Sequence, residues 1–571
     1  MQTSRDGGDG IDMTYTVLSP WAAVETPEST IFSPRITELE GKTIGLFSIF
    51  KKTSPIVLAE LGKFLKQEYP GIRLKEFQYP RDTEEIEFDT KYEPRLRKWL
   101  SDVDLVISGY GDAGSCAMYM AINTAYIEKL GVPTVAICRA GLWTSAMQGA
   151  SSHFMPNLRL IELELQDLSM VLVDQHCIED VIRPAVLTIK DEVVRLATAP
   201  MTKKEQPVKV EKDPLAAATF TGTLDEINTI LYRHGWTNGT PVVPPTREKV
   251  DEILQGTDLK PDEVIGRIPP RMGIATVEKI AVNAVMAGCL PTHLPAVIAA
   301  VEAMLDPAIH VVGWTCSVRS WMGPFITING PARLALGMET GSTFMAGYKR
   351  AASSIARAVA YCIMNIGGVR PKLEDNAFLG GECRFGVCFA EDEENSPWKG
   401  HQTDFGFKAE DSTVSLFWPV GRQKIISAIE HNDPESILEK LCIPEDIGFV
   451  PGCMYVLTPP VAKALQDYGM SKKDVIDYIV EYARRDISPE YLRWVTGNNH
   501  IPKGVPVPAN TRYNVRKYWN KDHICIIVGG SDKVYTGSAF VGGGDHGGPV
   551  CAKMKLPKKW NSLVKKYKDM T

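Results

Sequence analysis

The chain contains no run of eighteen apolar residues, so no stretch is long enough to cross a bilayer as a helix. It has no surplus of positive charge. Against 63 Lys and Arg stand 69 Asp and Glu, a net charge of −6, which argues against a general nucleic-acid binder. None of its 12 cysteines forms a CxxC pair, and the closest two, Cys383 and Cys388, lack zinc-ligand spacing and a nearby His. Reduced thiols are therefore expected, without a disulfide framework or a structural zinc. The opening MQTSRDGGDGIDMTY has no apolar core of the kind a secretory signal needs, so a cytoplasmic location is expected. There is no GK[ST] loop, no strand–GxGxxG–helix, no HExxH and no Ser-His-Asp order. The Gly-rich GSAFVGGGDHGGPV, with Asp545 and His546, fits none of these fingerprints.

What remains is an ordinary globular composition, 44% hydrophobic and 23% charged, on a chain of 571 residues that calls for two or more domains. Residues 1–34 are rich in Gly, Ser, Pro and Thr and read as an extended arm, suited to packing on a partner subunit. From Lys42 to residue 198 strands alternate with helices. TIGLFSIF, GIRLKEF, VDLVIS, VPTVAIC and NLRLIEL are the strands, and the spacing predicts a three-layer α/β domain on a parallel sheet. Residues 199–215, APMTKKEQPVKVEKDPL, form a linker. Residues 216–571 are read as a larger α+β domain. Thr223 with Glu226 makes a capping box there, and Thr246 caps the next helix.

The stretch richest in chemistry is VDLVISGYGDAGSCAMYM. A buried strand runs into a turn that Gly109, Gly111 and Gly114 permit, and Cys116 falls in the first turn of the following helix. The helix would bury one face through Met118, Ile122, Ala125 and Ile127. Unpaired N–H groups at a helix start favour a thiolate, and the carboxyl ends of parallel strands form a ligand crevice. Packing of a buried cysteine is the competing reading. Lys51, Lys52, Thr53, Ser54, Arg139 and Ala140 follow other strands and would lie on the same edge, where solvation is the simpler reading for each Lys.

GDAGSC, preceded by DLVISGYG and followed by LGVPTVAICRAG, resembles the UGSC-like family, which carries selenocysteine or cysteine ahead of Gly-Ser-Cys at this turn. The resemblance rests on Asp112, Gly114, Ser115 and Cys116. Ala113 occupies the first chalcogen position, so no selenenylsulfide or disulfide can form within the motif. HGWTNGTPVVPPT, ATVEKIAVNAVMAGCLP, INGPARLALG, the Arg350–Arg357 segment, NIGGVRP and CFAEDEENSPW extend the likeness over most of residues 35–500. TCSVRSW, MAGYKRAASS and the tail after Val528 depart from it.

The second half offers further candidates. Glu391 to Glu394 follow the apolar FGVCFA, where general bases are often held, although an acidic turn is the usual fate of such a run. Arg350 and Arg357 share a helix face and could clamp an anion or pair with the acidic run. INGPAR, with Asn329, exposes N–H groups at a turn. Cys289, at a helix C-terminus, is better read as packing. The lysine-rich end from Cys551 is read as a solvated helix.

Three functions follow. The first is a small-molecule enzyme in which Cys116 acts as thiolate, in thiol redox or in cleavage or formation of a carbon–heteroatom bond, with Asp112, Glu391 and Glu394 catalytic. Gly114, Ser115, Asn329, Arg350 and Arg357 would bind substrate, with the second domain closing over Cys116. The second is a lyase or hydratase driven by the acidic cluster. The third is a non-catalytic subunit beside a second UGSC-like chain. A homo-oligomer is expected, with no nucleic-acid or membrane partner; no cofactor or metal is legible.

Overall fold

The computed structural model describes residues 13–25, 32–49, 51, 53–80, 84–168, 173–203, 205, 213–316, 322–371, 373–377, 380, 383–430, 432–444, 452–487, 512–518, 520–543 and 547–571. Lys52, residues 206–212 of the linker, 317–321 of TCSVRSW, and Asp545 and His546 lie outside these.

The described part of the arm is not extended into solvent. Tyr15–Leu18 (β1) pairs antiparallel with Thr219–Gly222 (β7), and Val17, Trp21 and Ala22 enter the core of the C-terminal domain. The apolar residues of an otherwise polar stretch find burial in their own chain, where the sequence pattern of residues 1–34 predicts an extended arm suited to a partner subunit.

The N-terminal domain is a five-stranded parallel sheet ordered β3-β2-β4-β5-β6. Its strands are Thr43–Ser48 (β2), Arg73–Gln78 (β3), Leu105–Gly111 (β4), Thr134–Arg139 (β5) and Leu160–Leu163 (β6). β2 and β4 are buried at every residue, as central strands covered on both faces must be. Ser54–Glu68 (α1) and the Arg183–Thr198 helix pack on one face, and Gly114–Lys129 (α3) with Trp143–Ser152 (α4) on the other; Glu93–Leu100 (α2) leads into β4. The chain leaves β2 toward β3, then returns to the other side of β2 with β4. That reversal places the topological switch point between the carboxyl ends of β2 and β4.

α3 departs from the single buried face expected of it. It is buried from Gly114 to Glu128: Met118, Tyr119 and Ile122 join the C-terminal core, while Cys116, Met120, Ala121 and Ala125 join the N-terminal one. A helix apolar all round is a buried helix, and this one lies between two domains. Tyr119 Oη meets His310 Nδ1 across the boundary at 3.3 Å.

The C-terminal domain combines helices, among them Val277–Met286, Leu294–Met304 and Arg350–Asn365, with two four-stranded mixed sheets. After the hairpin of Val264–Ile268 (β8) and Gly273–Thr276 (β9) come Phe325–Asn329 (β10), Val387–Ala390 (β11), Thr413–Phe417 (β12), Pro419–Ile426 (β13) and Cys453–Leu457 (β14). Arg484–Ile487 (β15) pairs with Tyr513–Arg516 (β16), and Ile524–Val528 (β17), Gly537–Gly542 (β18) and Val550–Lys553 (β19) finish the set. The first sheet runs β11-β10-β12-β19 and the second β13-β18-β14-β17. Phenylalanines from both, including Phe325, Phe389, Phe417 and Phe540, share one core. Both predicted caps are present: Thr223 and Glu226 form the capping box and Thr246 accepts from Lys249 N.

Candidate functional site

β4 delivers its motif to the switch point. Gly111 admits no side chain, because a Cβ there would lie 2.5 Å from Ala117 Cα. The first turn of α3 is thereby pressed against the strand end. Ala113 is the N-cap, extended at φ −137° and ψ 162°, and makes no side-chain cap, so Gly114, Ser115 and Cys116 form an uncapped first turn.

Asp112 stands at the lip of the crevice. Its Oδ2 accepts a hydrogen bond from Thr53 Oγ1 at 2.9 Å, Lys51 Nζ lies 3.9 Å from Oδ1, and among the described residues that Oδ1, though buried, accepts no hydrogen bond. Ser54 Oγ donates to Gly109 O and accepts from Tyr110 N at 2.7 Å, tying α1 to the end of β4. Thr53, and Lys51 for which sequence favoured solvation, thus converge on the motif carboxylate. Arg139, on the same edge, pairs with Asp167 at 3.0 Å. Burial pushes the Tyr110 phenol well above its ordinary range, with Asp112 adding to the rise.

Cys116 is at the helix start, as its spacing predicts, but its side chain is 0% exposed and lies in a cluster with Phe47, Ile49, Cys138, Ala146 and Met147. Gly114 and Ser115 are buried beside it. A cavity of about 500 Å³ opens on the other side of α4, between Trp143, Thr144 and Met147 and the C-terminal Pro270, Arg271 and Leu373. Met147 therefore touches both the cavity and the layer that holds Cys116. The Arg271 guanidinium, pushed down to about 10 by burial against the pull of Asp213, stacks 3.9 Å over the Trp21 ring and bonds Asp213 Oδ2 at 2.6 Å.

The acidic run forms a second assembly. Glu391 is fully buried; its Oε2 accepts from Asn329 Nδ2 at 2.6 Å and His401 N at 2.7 Å, and its Oε1 from Val528 N at 3.3 Å. Glu393 Oε1 accepts from Gly330 N at 2.6 Å and lies 3.2 Å from Arg333 Nε. Arg333 Nη2 donates to Glu394 Oε1 at 2.6 Å, and this hydrogen bond, ahead of a smaller burial penalty, holds the Glu394 carboxyl below its ordinary range. The turn of INGPAR does hold an anion, and that anion is Glu393 of the same chain. Arg333 was missed as the partner of the run, although it sits in the INGPAR motif. His401, whose Nδ1 lies 3.1 Å from Asp404 Oδ2, had no sequence signal at all.

Asn329, Glu391 and Glu394 are thus brought together through Glu393 and Arg333. Arg350 Nε donates to Gly288 O at 3.1 Å, and Arg357 Nη2 to Thr240 and to Pro241 O at 3.2 Å. Among the described residues these hydrogen-bond and ion-pair partners of the five side chains all belong to the C-terminal part of the chain, and none of them is Cys116. Their chemistry is met locally, by carbonyls and by Arg333. Cys289 packs as expected: its Sγ lies 3.4 Å from Ser354 O, and burial pushes the thiol up to about 12. Among the described residues no group of His, Cys, Asp and Glu side chains is arranged to hold a metal ion, and no helix is long and apolar enough to cross a membrane.

The model of the UGSC family matches residues 16–179, which take in β1 and the sheet through β6. The likeness of the C-terminal half rests on its motifs alone. No curated protein and no solved structure matches the chain.

Proposed function

Taking residues 16–179 as a member of the UGSC family, we propose that the chain is a small-molecule enzyme whose reaction takes place at the β2/β4 switch point. Asp112 exchanges the proton and Cys116 supplies the thiol, as nucleophile or in thiol redox chemistry. The observation that carries this reading is the state of Asp112. One oxygen is fixed by Thr53, while the other is left without a hydrogen bond beside Lys51, at the edge where parallel sheets receive ligands. An oriented carboxylate with a free oxygen suits general acid–base work. Cys116 in the uncapped first turn of α3 has the macrodipole in its favour.

A second reading keeps Asp112 and releases the thiol: a lyase or hydratase in which Cys116 only lines the site. The full burial of Cys116 among apolar side chains favours it, since such surroundings disfavour a thiolate. Glu391 is less suited to drive such a reaction, because both its oxygens are engaged by donors of the fold, and Glu394 has one oxygen tied to Arg333. In either case the substrate is small, and the ~500 Å³ cavity beside α4 is of the size that such ligands fill. The reading places the enzyme in the cytoplasm as a homo-oligomer.

Site-resolved alkylation separates the two. Iodoacetamide is applied between pH 6 and 9, and modification of Cys116 is followed by mass spectrometry in the wild type and in Asp112→Asn, with the exposed Cys383 as internal standard. The thiol reading expects Cys116 to react with a midpoint below the free-thiol value of about 8.5, and the midpoint to move in Asp112→Asn. A Cys116 that stays unmodified while Cys383 reacts removes the thiol from the chemistry and leaves the proton-transfer reading.

A further inference from the structure

The C-terminal domain holds a second crevice at the carboxyl end of parallel strands. β14 and β17 run side by side in register, Leu457 opposite Val528, and each leaves the sheet at the same edge. β17 is followed by Gly529, Gly530 and Ser531. Gly530 adopts φ +101°, and a Cβ on Gly529 would lie 2.7 Å from the Phe344 ring, so the turn is pressed beneath the loop 342–346. Between loop and sheet is a cavity of about 490 Å³.

Its chemistry is one-sided. Among the described residues Arg422 is the only charged one in the wall. Its guanidinium reaches Ser538 Oγ through long contacts of 3.2 and 3.4 Å and lies 5.7 Å from the Phe540 ring centroid, and among the described residues it meets no carboxylate. Elsewhere in the chain arginines such as Arg159, Arg333 and Arg384 are paired with acids. The hydroxyls of Ser342 and Thr343 on the opposite wall make no hydrogen bond among the described residues. Thr458, by contrast, spends its hydroxyl on Val534 O and Thr536 O. A lone cation, unspent hydroxyls and an apolar floor of Phe344 and Phe540 make a wall for one oxyanion on a hydroxylated body.

We propose that this cavity is a binding site for a small hydroxylated anion, a polyol phosphate or a hydroxy acid, held through Arg422. The site is independent of the switch point of the N-terminal sheet. Arg422 receives the oxyanion, and Ser342 and Thr343 receive the hydroxyls.

Four probes test it by calorimetric titration of the full chain: glycerol 3-phosphate, glycerate, glycerol and inorganic phosphate. At least one of the first two binds at least tenfold more tightly than glycerol or phosphate alone, and which one does so tells phosphate from carboxylate. Arg422→Gln, an exchange at an exposed position, weakens that anion about tenfold and leaves the far-UV circular dichroism unchanged. The double variant Ser342→Ala/Thr343→Val narrows the margin of the hydroxylated anion over inorganic phosphate. Absence of binding by both hydroxylated anions at 10 mM overturns the proposal, as does binding that Arg422→Gln leaves intact or a preference for glycerol.

Discussion

At the end of β4, Asp112 bonds Thr53 through one oxygen and leaves the other without a donor. At the end of β11, Glu391 receives Asn329, His401 and Val528, and its neighbours Glu393 and Glu394 share Arg333. Both carboxylates follow a buried strand, and both stand in motifs that sequence marks as chemical. The difference lies in how much of their hydrogen-bonding capacity the fold consumes. A carboxylate whose acceptors are filled by three separate segments braces those segments together. One that is aimed but unfilled has capacity left for a ligand.

The contrast breaks most readily at Glu391. Glu391→Ala strands the N–H groups of His401 and Val528 in a buried site and leaves the amide of Asn329 with Glu393 as its only carboxylate among the described residues. At ~1–3 kcal/mol for each stranded donor, partly relieved by local relaxation, the expected loss is about 4 kcal/mol. Urea denaturation of the purified variant reads it. A loss below about 1 kcal/mol would mean that the acidic loop is not the brace its bonds describe.

Acid sharpens the comparison next. His293, buried in the C-terminal domain, is held down to about 3, first by burial and then by the charge of Arg350, against an ordinary value near 6.5. Between those values the unfolded chain binds a proton that the native chain refuses, so stability falls as pH drops from about 6.5 toward 3, by about 1.4 kcal/mol per pH unit for this one group. Above 6.5 it contributes no slope. His293→Asn should flatten the acid limb of a plot of urea midpoint against pH over that window. An unchanged limb would assign acid sensitivity to other groups.

Arg357 gives a smaller effect. Its bonds to Thr240 and Pro241 hold a loop to the Arg350–Asn365 helix from the partly exposed surface. Arg357→Ala is expected to cost about 1 kcal/mol in thermal stability and to leave Cys116 alkylation where it was. A change in that alkylation would return Arg357 to the substrate-binding role that its place on the helix face first suggested.

The elements were legible because each rests on local pattern. Apolar runs gave β2, β4 and β5, Thr223 and Thr246 gave helix starts, and Gly111 gave the turn before Cys116. Sequence even placed Lys51, Thr53 and Cys116 on one edge, since the order of a parallel sheet fixes where its loops emerge. It could not say that Cys116 would be covered. That depends on α3 lying between two domains, and its apolar stripe reads the same whether one face or both are buried. Nor could it say that CFAEDEENSPW would be neutralised from within. The donors come from residues 329, 333, 401 and 528, and only tertiary packing brings them to one place. The arm was misjudged for a related reason: three apolar residues, Val17, Trp21 and Ala22, carry no periodicity, yet they are enough to seat it in a core.

The smallest expected change in stability carries the most weight for function. Among the described residues Asp112 makes one hydrogen bond, with Thr53, and one distant ion pair from a side chain still 17% exposed. Asp112→Asn keeps the size of the group and an acceptor for Thr53, so the urea midpoint should move by less than ~1 kcal/mol. The same substitution removes the charge beside Lys51 and at the mouth of α3, and with it the proton-exchanging group. If the switch point is the reactive centre, Asp112→Asn is nearly silent in denaturation and marked in chemistry, whereas Glu391→Ala is the reverse. A destabilisation of several kcal/mol in Asp112→Asn would instead make this carboxylate a brace like Glu391, and the asymmetry between the two strand ends would no longer mark the site.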